Sequence, residues 1–258
     1  MSLQQDIRNV EPAPSIAKLP LVGAVALAIV SGLFGGVVGL LMVGVMWWIS
    51  SNPWVRDDPD SHGISEQDSS RLGGFIIAVG YIVFALLSSY QFLPSNELSQ
   101  GFVSPLVSPQ SLVLWGLIAM VGMWDDFVSN ITASGRLALV SIFSLLWVVI
   151  TPGALQLEAF AWLPGPLANE AVLAIACAFI ITAFVNAGNM ADGANGLLSG
   201  ICLAFFVFTF FEVSSQNIFA IIMALTIFIF FNVATGKIFL GDFGSYGLSS
   251  GVAMTALV

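Results

Sequence analysis

Long apolar runs broken by short polar junctions set the pattern of this chain. The runs and their breakers predict helices over about 20–50, 72–93, 106–124, 136–151, 168–187, 197–212 and 218–236, with a last run opening near 246. Most of them reach the roughly twenty residues that cross a hydrocarbon core of about 30 Å. The third and fourth, interrupted by polar residues, sit near the short end of what can span. The expected fold is therefore all-α: a polytopic transmembrane helical bundle of seven spans plus a truncated eighth. Residues 1–19, MSLQQDIRNVEPAPSIAKL, form a polar tail without the basic-then-apolar pattern of a cleavable signal, so the first apolar run is expected to be a retained helix. Residues 20–258 are read as one transmembrane domain.

Composition supports the membrane reading: the chain is 58% hydrophobic and only 8% charged, with a net charge of −9, and no nucleic-acid partner is expected. Cys177 and Cys202 both fall inside apolar runs and read as packing residues, with no disulfide framework or metal spacing. Alternating the connections across the bilayer puts loops 51–71, 125–135, 188–196 and 237–245 on one side, with Arg56, Arg71, Arg136 and Lys237. The other side has only Arg8 and Lys18 in the tail, so the positive-inside rule assigns the first side to the cytoplasm.

The acids divide more sharply than the bases. Beyond residue 11 every Asp lies on the expected cytoplasmic side, whereas Glu97, Glu158, Glu170 and Glu212 lie at the opposite side or its edge. Asp57, Asp58, Asp60 and Asp68 suit an ordinary solvated loop. Asp125, Asp126, Asp192 and Asp242 do not, because they sit in three tight junctions, "VGMWDDFVSN", "NMADGANG" and "FLGDFGS", where the chain re-enters the membrane. A carboxylate placed deeper costs several kcal/mol, roughly 2.5–3.5 at a helix centre. Adjacent Asp125 and Asp126 also repel one another unless a cation or proton sits between them. A hard divalent cation such as Mg²⁺ suits these oxygens, and it bridges readily to phosphate. The flanking glycines let backbone N–H groups approach an anion, and each junction precedes a helix whose N-terminus favours negative charge. Acids for a metal beside amides for phosphate describe a phosphoryl-transfer site.

Other classes account for less. A transporter carries its ion-binding carboxylates mid-helix, near the bilayer midplane, whereas these cluster at one interface. The phosphatidyl-group transferases use DG-x-x-AR with two further spaced Asp, and "DGANGL" has neither. A purely structural membrane protein leaves the clustered acids unexplained.

Three signatures, "GMWDDF", "NAGNMADGANGLLSG" and "KIFLGDFGSYGLSSG", resemble in order and spacing those of the polyprenyl-phosphate N-acetylhexosamine-1-phosphate transferase family, of the glycosyltransferase family 4 type. That family includes the phospho-N-acetylmuramoyl-pentapeptide transferases and the enzymes that start O-antigen and teichoic acid synthesis. The resemblance extends through nearly the whole chain beyond residue 50. It implies a multi-pass inner-membrane enzyme that joins a cytosolic UDP-N-acetyl sugar to polyprenyl (undecaprenyl) phosphate, releasing UMP and starting a lipid-linked glycan. It implies Mg²⁺, with Mn²⁺ as a substitute, and leaves a homodimer open. Asp242 matches the position associated with the metal. Asp125 and Asp126 match the aspartate pair, the first of which would take the proton of the lipid phosphate. Asn186, Asn189 and Asp192 match N-x-x-N-x-x-D-G of the nucleotide-sugar pocket, and Arg136 corresponds to a basic residue that would neutralise phosphate.

The chain departs from the family pattern in three places. Asn195 stands where many members have a second Asp; it can hydrogen-bond but cannot act as a base or anionic ligand. In the first cytoplasmic loop, His62 lacks a directly preceding Arg, and its distance to Arg71 is stretched beside the family's basic-His-then-Gly-Gly pattern. The family's later histidine loop is absent, His62 being the single His, and Val258 falls about thirteen residues into an apolar run. The sequence is therefore expected to be the N-terminal two-thirds of a longer protein, and inactive by itself.

Overall fold

The computed structural model describes residues 21–52, 70–88, 109–128, 131–151, 164–166 and 168–257. These form eight helices: α1 Leu21–Ser51, α2 Gly73–Ser88, α3 Pro109–Val128, α4 Ala133–Ile150, α5 Glu170–Ala191, α6 Leu197–Val213, α7 Gln216–Thr235 and α8 Gly241–Leu257. There is no strand among the described residues, only an isolated parallel bridge between Ser70 and Ile238. The polar tail, His62 and Arg56 lie outside the described residues.

Helices α4, α5 and α7 are long and apolar enough to cross a membrane; the apolar stretches Gly35–Ser51, Gly73–Leu87 and Leu197–Val213 are shorter. Large apolar side chains also cover the outside of the bundle, Val149, Ile175, Phe179, Phe208 and Phe211 among them. An apolar rim this extensive suits a lipid environment.

Helix α8 is the centre of the bundle, packed against α2, α3, α5 and α6 and buried from Gly244 to Thr255. Its sequence, GDFGSYGLSSGVAMTAL, explains how: small residues let neighbouring backbones approach closely, as in membrane helix pairs. On one side Leu248 and Val252 join a core with Met46, Ile77, Phe206, Leu225 and Phe228, from α1, α2, α6 and α7. On the other, Tyr246, Ala253 and Met254 join Ile118, Trp147, Cys177 and Ile181, from α3, α4 and α5. Cys177 and Cys202 are free thiols buried one in each core, as packing residues.

Helix limits differ from the sequence expectation at three places that matter. Helix α3 continues to Val128, so Asp125 and Asp126 occupy its last turns instead of a loop. The apolar pattern stops at Trp124, but both acids find charged partners and the helix persists. Helix α5 runs to Ala191, and the backbone N–H of Asp192 closes it by donating to Gly188 O at 3.1 Å. Helix α8 opens at Gly241, not near 246, and carries Asp242 in its first turn.

Candidate active site at the helix ends

Four carboxylates converge from three helix ends. Asp192 caps α5 and interacts with the charges of Asp242 and Asp126. Asp242, at the start of α8, interacts with the charges of Asp126 and Asp125. None of the four stands in the middle of a helix.

Of the four, Asp242 alone sits at a helix N-terminus. Asp125 and Asp126 lie at the C-terminal end of α3, where the helix dipole disfavours negative charge. Two arginines offset this. Arg136, in the first turn of α4, pairs with Asp125 Oδ2, and Arg71, just before α2, places Nη1 3.7 Å from Asp126 Oδ1. Asp126 Oδ2 also accepts a 3.1 Å hydrogen bond from the backbone N–H of Phe243. Asp126 thus ties the end of α3 to the start of α8.

A close backbone approach makes this possible. Gly122 is buried one helical turn before Asp126, and a Cβ there would run into the carbonyl of Asp242. At Gly241 the chain turns sharply into α8 with φ +72°, a conformation that glycine adopts without strain, and a side chain there would meet the Arg71 carbonyl.

The segments before α2 and α8 are stitched together. Ser70 N–H donates to Lys237 O at 3.0 Å and Phe239 N–H to Ser70 O at 2.7 Å. The first amides of α2 continue the series, Gly73 to Phe239 O at 3.0 Å and Gly74 to Leu240 O at 2.7 Å. Asn232 of α7 secures the same strap through Nδ2 to Ile238 O, 2.6 Å. Arg71 is therefore fixed beside Asp242. Neither the strap nor Asn232 was visible in the sequence, because a single bridge leaves no periodic pattern.

The N-x-x-N-x-x-D-G segment lies on the last turns of α5. Asn189 Oδ1 accepts a 2.7 Å hydrogen bond from Ser245 Oγ of α8, and buried Gly188 packs against Ser249 where a side chain would not fit. Ser245 is a site neighbour that sequence reasoning missed, although the Gly/Ser-rich start of α8 was its signal. Asn186 Nδ2 donates back to Thr182 O, 2.8 Å. Asn195 is exposed and lies beside Gly236 at the end of α7. Lys237 stacks over the Trp47 ring, 5.6 Å from its centre.

Crowding has an electrostatic consequence. Burial, then the charges of Asp242 and Asp126, push the Asp192 carboxyl up to about 7. Four carboxylates against two guanidiniums leave the cluster short of positive charge. Among the described residues no three His, Cys, Asp or Glu side chains stand close enough to cage a metal. The donor set fits the other way of holding Mg²⁺, through one or two carboxylates with waters and substrate phosphates filling the remaining positions.

Residues 109–258, more than half of the chain and including every one of these carboxylates, match the profile described as glycosyl transferase family 4. The chain belongs to glycosyl transferase family 4. Among curated proteins of this kind, phospho-N-acetylmuramoyl-pentapeptide-transferase of Levilactobacillus brevis is 27% identical over 223 residues, which cover 79% of this chain and 66% of that protein. The same-named protein of Bacillus thuringiensis is 25% identical over 225 residues, 79% of this chain and 65% of its own length. That of Bacillus cereus aligns equally. This family 4 chain thus spans just under two thirds of the length of the relatives it matches.

Proposed function

We propose that this family 4 chain carries the reacting centre of a membrane phosphoglycosyl transferase, facing the cytoplasm from a bundle of seven spans, α1–α7, with α8 as an eighth. It would transfer N-acetylhexosamine 1-phosphate from a UDP-sugar to polyprenyl phosphate in the plasma membrane, starting a lipid-linked envelope glycan. The observation that carries this reading is the convergence of Asp125, Asp126, Asp192 and Asp242 with Arg71 and Arg136 at helix ends, within the family 4 match. Catalysis of phosphoryl transfer is mostly positioning and charge stabilisation, which such a set provides. The relatives' names, which specify a phospho-sugar transfer, support it.

In the proposed reaction Asp125, held by Arg136, takes the proton of the lipid phosphate. The freed phosphate oxygen attacks the β-phosphorus of the donor, the bond from that phosphorus to the bridging oxygen breaks, and UMP leaves with the electron pair. Arg71 and Arg136 offset the phosphate charge, bidentate donors being suited to that role. Asn186, Asn189 and Asp192 line the donor side, with Ser245 orienting Asn189. Asp242 would hold Mg²⁺, which when bound neutralises diphosphate charge that develops as the bond breaks.

The test is UMP release by the product of the whole reading frame, in membranes or detergent. It should require a UDP-N-acetylhexosamine, polyprenyl phosphate and Mg²⁺ or Mn²⁺ together. UMP formed at the same rate without the lipid phosphate would make the protein a hydrolase and defeat the reading.

A further inference from the structure

Beneath the charged helix ends lies a second layer of side chains. Helices α3 and α5 end at the site, and α4 and α8 begin there. Asp125, Arg136, Asn189 and Asp242 therefore each have a neighbour four residues deeper on their own helix: Val121, Val140, Val185 and Tyr246. Residues four apart share a helix face, one turn or about 5.4 Å along the axis. All four deeper residues are buried in one core, with Ile118 and Ile181. Three are valines, and of the four Tyr246 alone carries a polar side-chain atom.

Its phenol is directed toward the charges. A long helical side chain leans toward the N-terminus of its helix, and the N-terminal turn of α8 is the one that holds Asp242. Around α8, Ser245 and Ser249 face α5, whereas Gly247 and Gly251 face Ala119 and Trp115 of α3. Tyr246 lies on the arc between these two faces, and α4, with Arg136 in its first turn, packs against both α3 and α5. Tyr246 accordingly interacts with the charges of Arg136, Asp242, Asp125 and Asp126, that of Arg136 most strongly.

The residue is 2% exposed, yet its hydroxyl makes no hydrogen bond among the described residues. A buried phenol ordinarily finds a partner. Arg136 Nη1 is engaged with Asp125, but a guanidinium has five N–H groups and a hydroxyl both accepts and donates. A hydroxyl under this ion pair can accept from the guanidinium and give its own proton to an anionic oxygen above.

We propose that Tyr246 is a further substrate-binding residue, its hydroxyl donating to a non-bridging oxygen of the acceptor phosphate. This rests on the transfer reaction proposed above, in which Asp125 and Arg136 meet the acceptor while Asn186, Asn189 and Asp192 line the donor side. Tyr246 belongs to the first of these groups, and it adds a neutral donor to the two arginines.

The experiment measures binding and turnover separately, using the whole reading-frame product in nanodiscs. Tyr246→Phe keeps the ring and should keep Tm. It should raise Kd and KM for polyprenyl phosphate about tenfold, as loss of a hydrogen bond to a charged group does, and leave KM for the UDP-sugar unchanged. Kd for polyprenol, which has the same chain and no phosphate, should not change. Wild-type affinity of Tyr246→Phe for polyprenyl phosphate would overturn the proposal. So would an equal loss of polyprenol binding, which would make the residue a packing element. As a second measurement, Tyr246→3-fluorotyrosine supplies a ¹⁹F signal that should shift with polyprenyl phosphate and not with polyprenol. An unmoved signal overturns the proposal even where Tyr246→Phe does not accumulate. UMP release by the wild type, with unaltered phosphate affinity in Tyr246→Phe, would remove Tyr246 and leave the reaction standing; a phosphate-dependent ¹⁹F shift without UMP release would do the reverse.

Discussion

The backbone N–H of Phe243 donates to Asp126 Oδ2 at 3.1 Å, joining the first turn of α8 to the last turns of α3. The same carboxylate faces Arg71 through its other oxygen. Asp126 is thus a brace as well as a charge, and substitutions separate the two. Asp126→Asn keeps an acceptor for Phe243 but loses the charge opposite Arg71, so it should cost activity, about 10²-fold, with little change in Tm. Asp126→Ala should lower both. Equal Tm loss in the two variants, measured in detergent, would mean that the hydrogen bond does not hold the junction.

Glycine packing gives a second expectation. Gly122→Ala forces a methyl against the Asp242 carbonyl and should destabilise by about 1–3 kcal/mol, as overpacked sites do, displacing Asp242 with it. Gly200→Ala, on α6 with open space at its Cβ, should be neutral or slightly stabilising. Thermal melts of both variants check this; a neutral Gly122→Ala would show that α3 and α8 are not in backbone contact.

The helix pattern was legible because apolar runs and breakers mark membrane segments whatever their partners. All eight described helices overlap the expected ones, and the carboxylates that the three motifs singled out do meet. What sequence could not provide was the ends. Polar residues at Asp125, Asn189 and Asp242 look like loop, yet each is helical: Arg136 satisfies the Asp125 side chain, Ser245 that of Asn189, and Asp242 stands in the first turn of α8. Arg71 shows the same limit from the other direction: its place depends on a strap between two segments far apart in the chain. Asn195 stands where many family members have a second Asp, and the turn after Asp192 carries it, exposed, to Gly236 at the end of α7.

Ser245 tests the positioning of the donor side. Ser245→Ala removes the 2.7 Å hydrogen bond to Asn189 Oδ1, a change of about 0.5–1.5 kcal/mol. It should raise KM for the UDP-sugar several-fold and leave KM for polyprenyl phosphate unaltered. Unchanged donor KM would separate Asn189 from donor binding.

The crowded acids predict a pH signature in metal-free protein. With its folded pKa raised from 3.8 to about 7, Asp192 favours the folded state fully below about 4, and that contribution is lost as pH rises to about 7. Asp192→Asn, which cannot ionise, should therefore gain Tm over wild type as pH rises through this window in EDTA, with the difference level above it. A difference that is constant with pH, or that runs the other way, would show that Asp192 does not share charge repulsion with Asp126 and Asp242.

The central claim, that these helix ends form one phosphoryl-transfer centre, is tested most directly by following the phosphorus. A UDP-N-acetylhexosamine labelled with ³²P at the β-position is incubated with the whole reading-frame product, polyprenyl phosphate and Mg²⁺, and the lipid phase is counted. The β-label should enter the lipid, an α-label should remain in UMP, and Asp242→Asn and Asp125→Asn should each slow the transfer about 10²-fold or more. Transfer at wild-type rate in both variants, or β-label released as water-soluble sugar phosphate without entering lipid, would contradict the account.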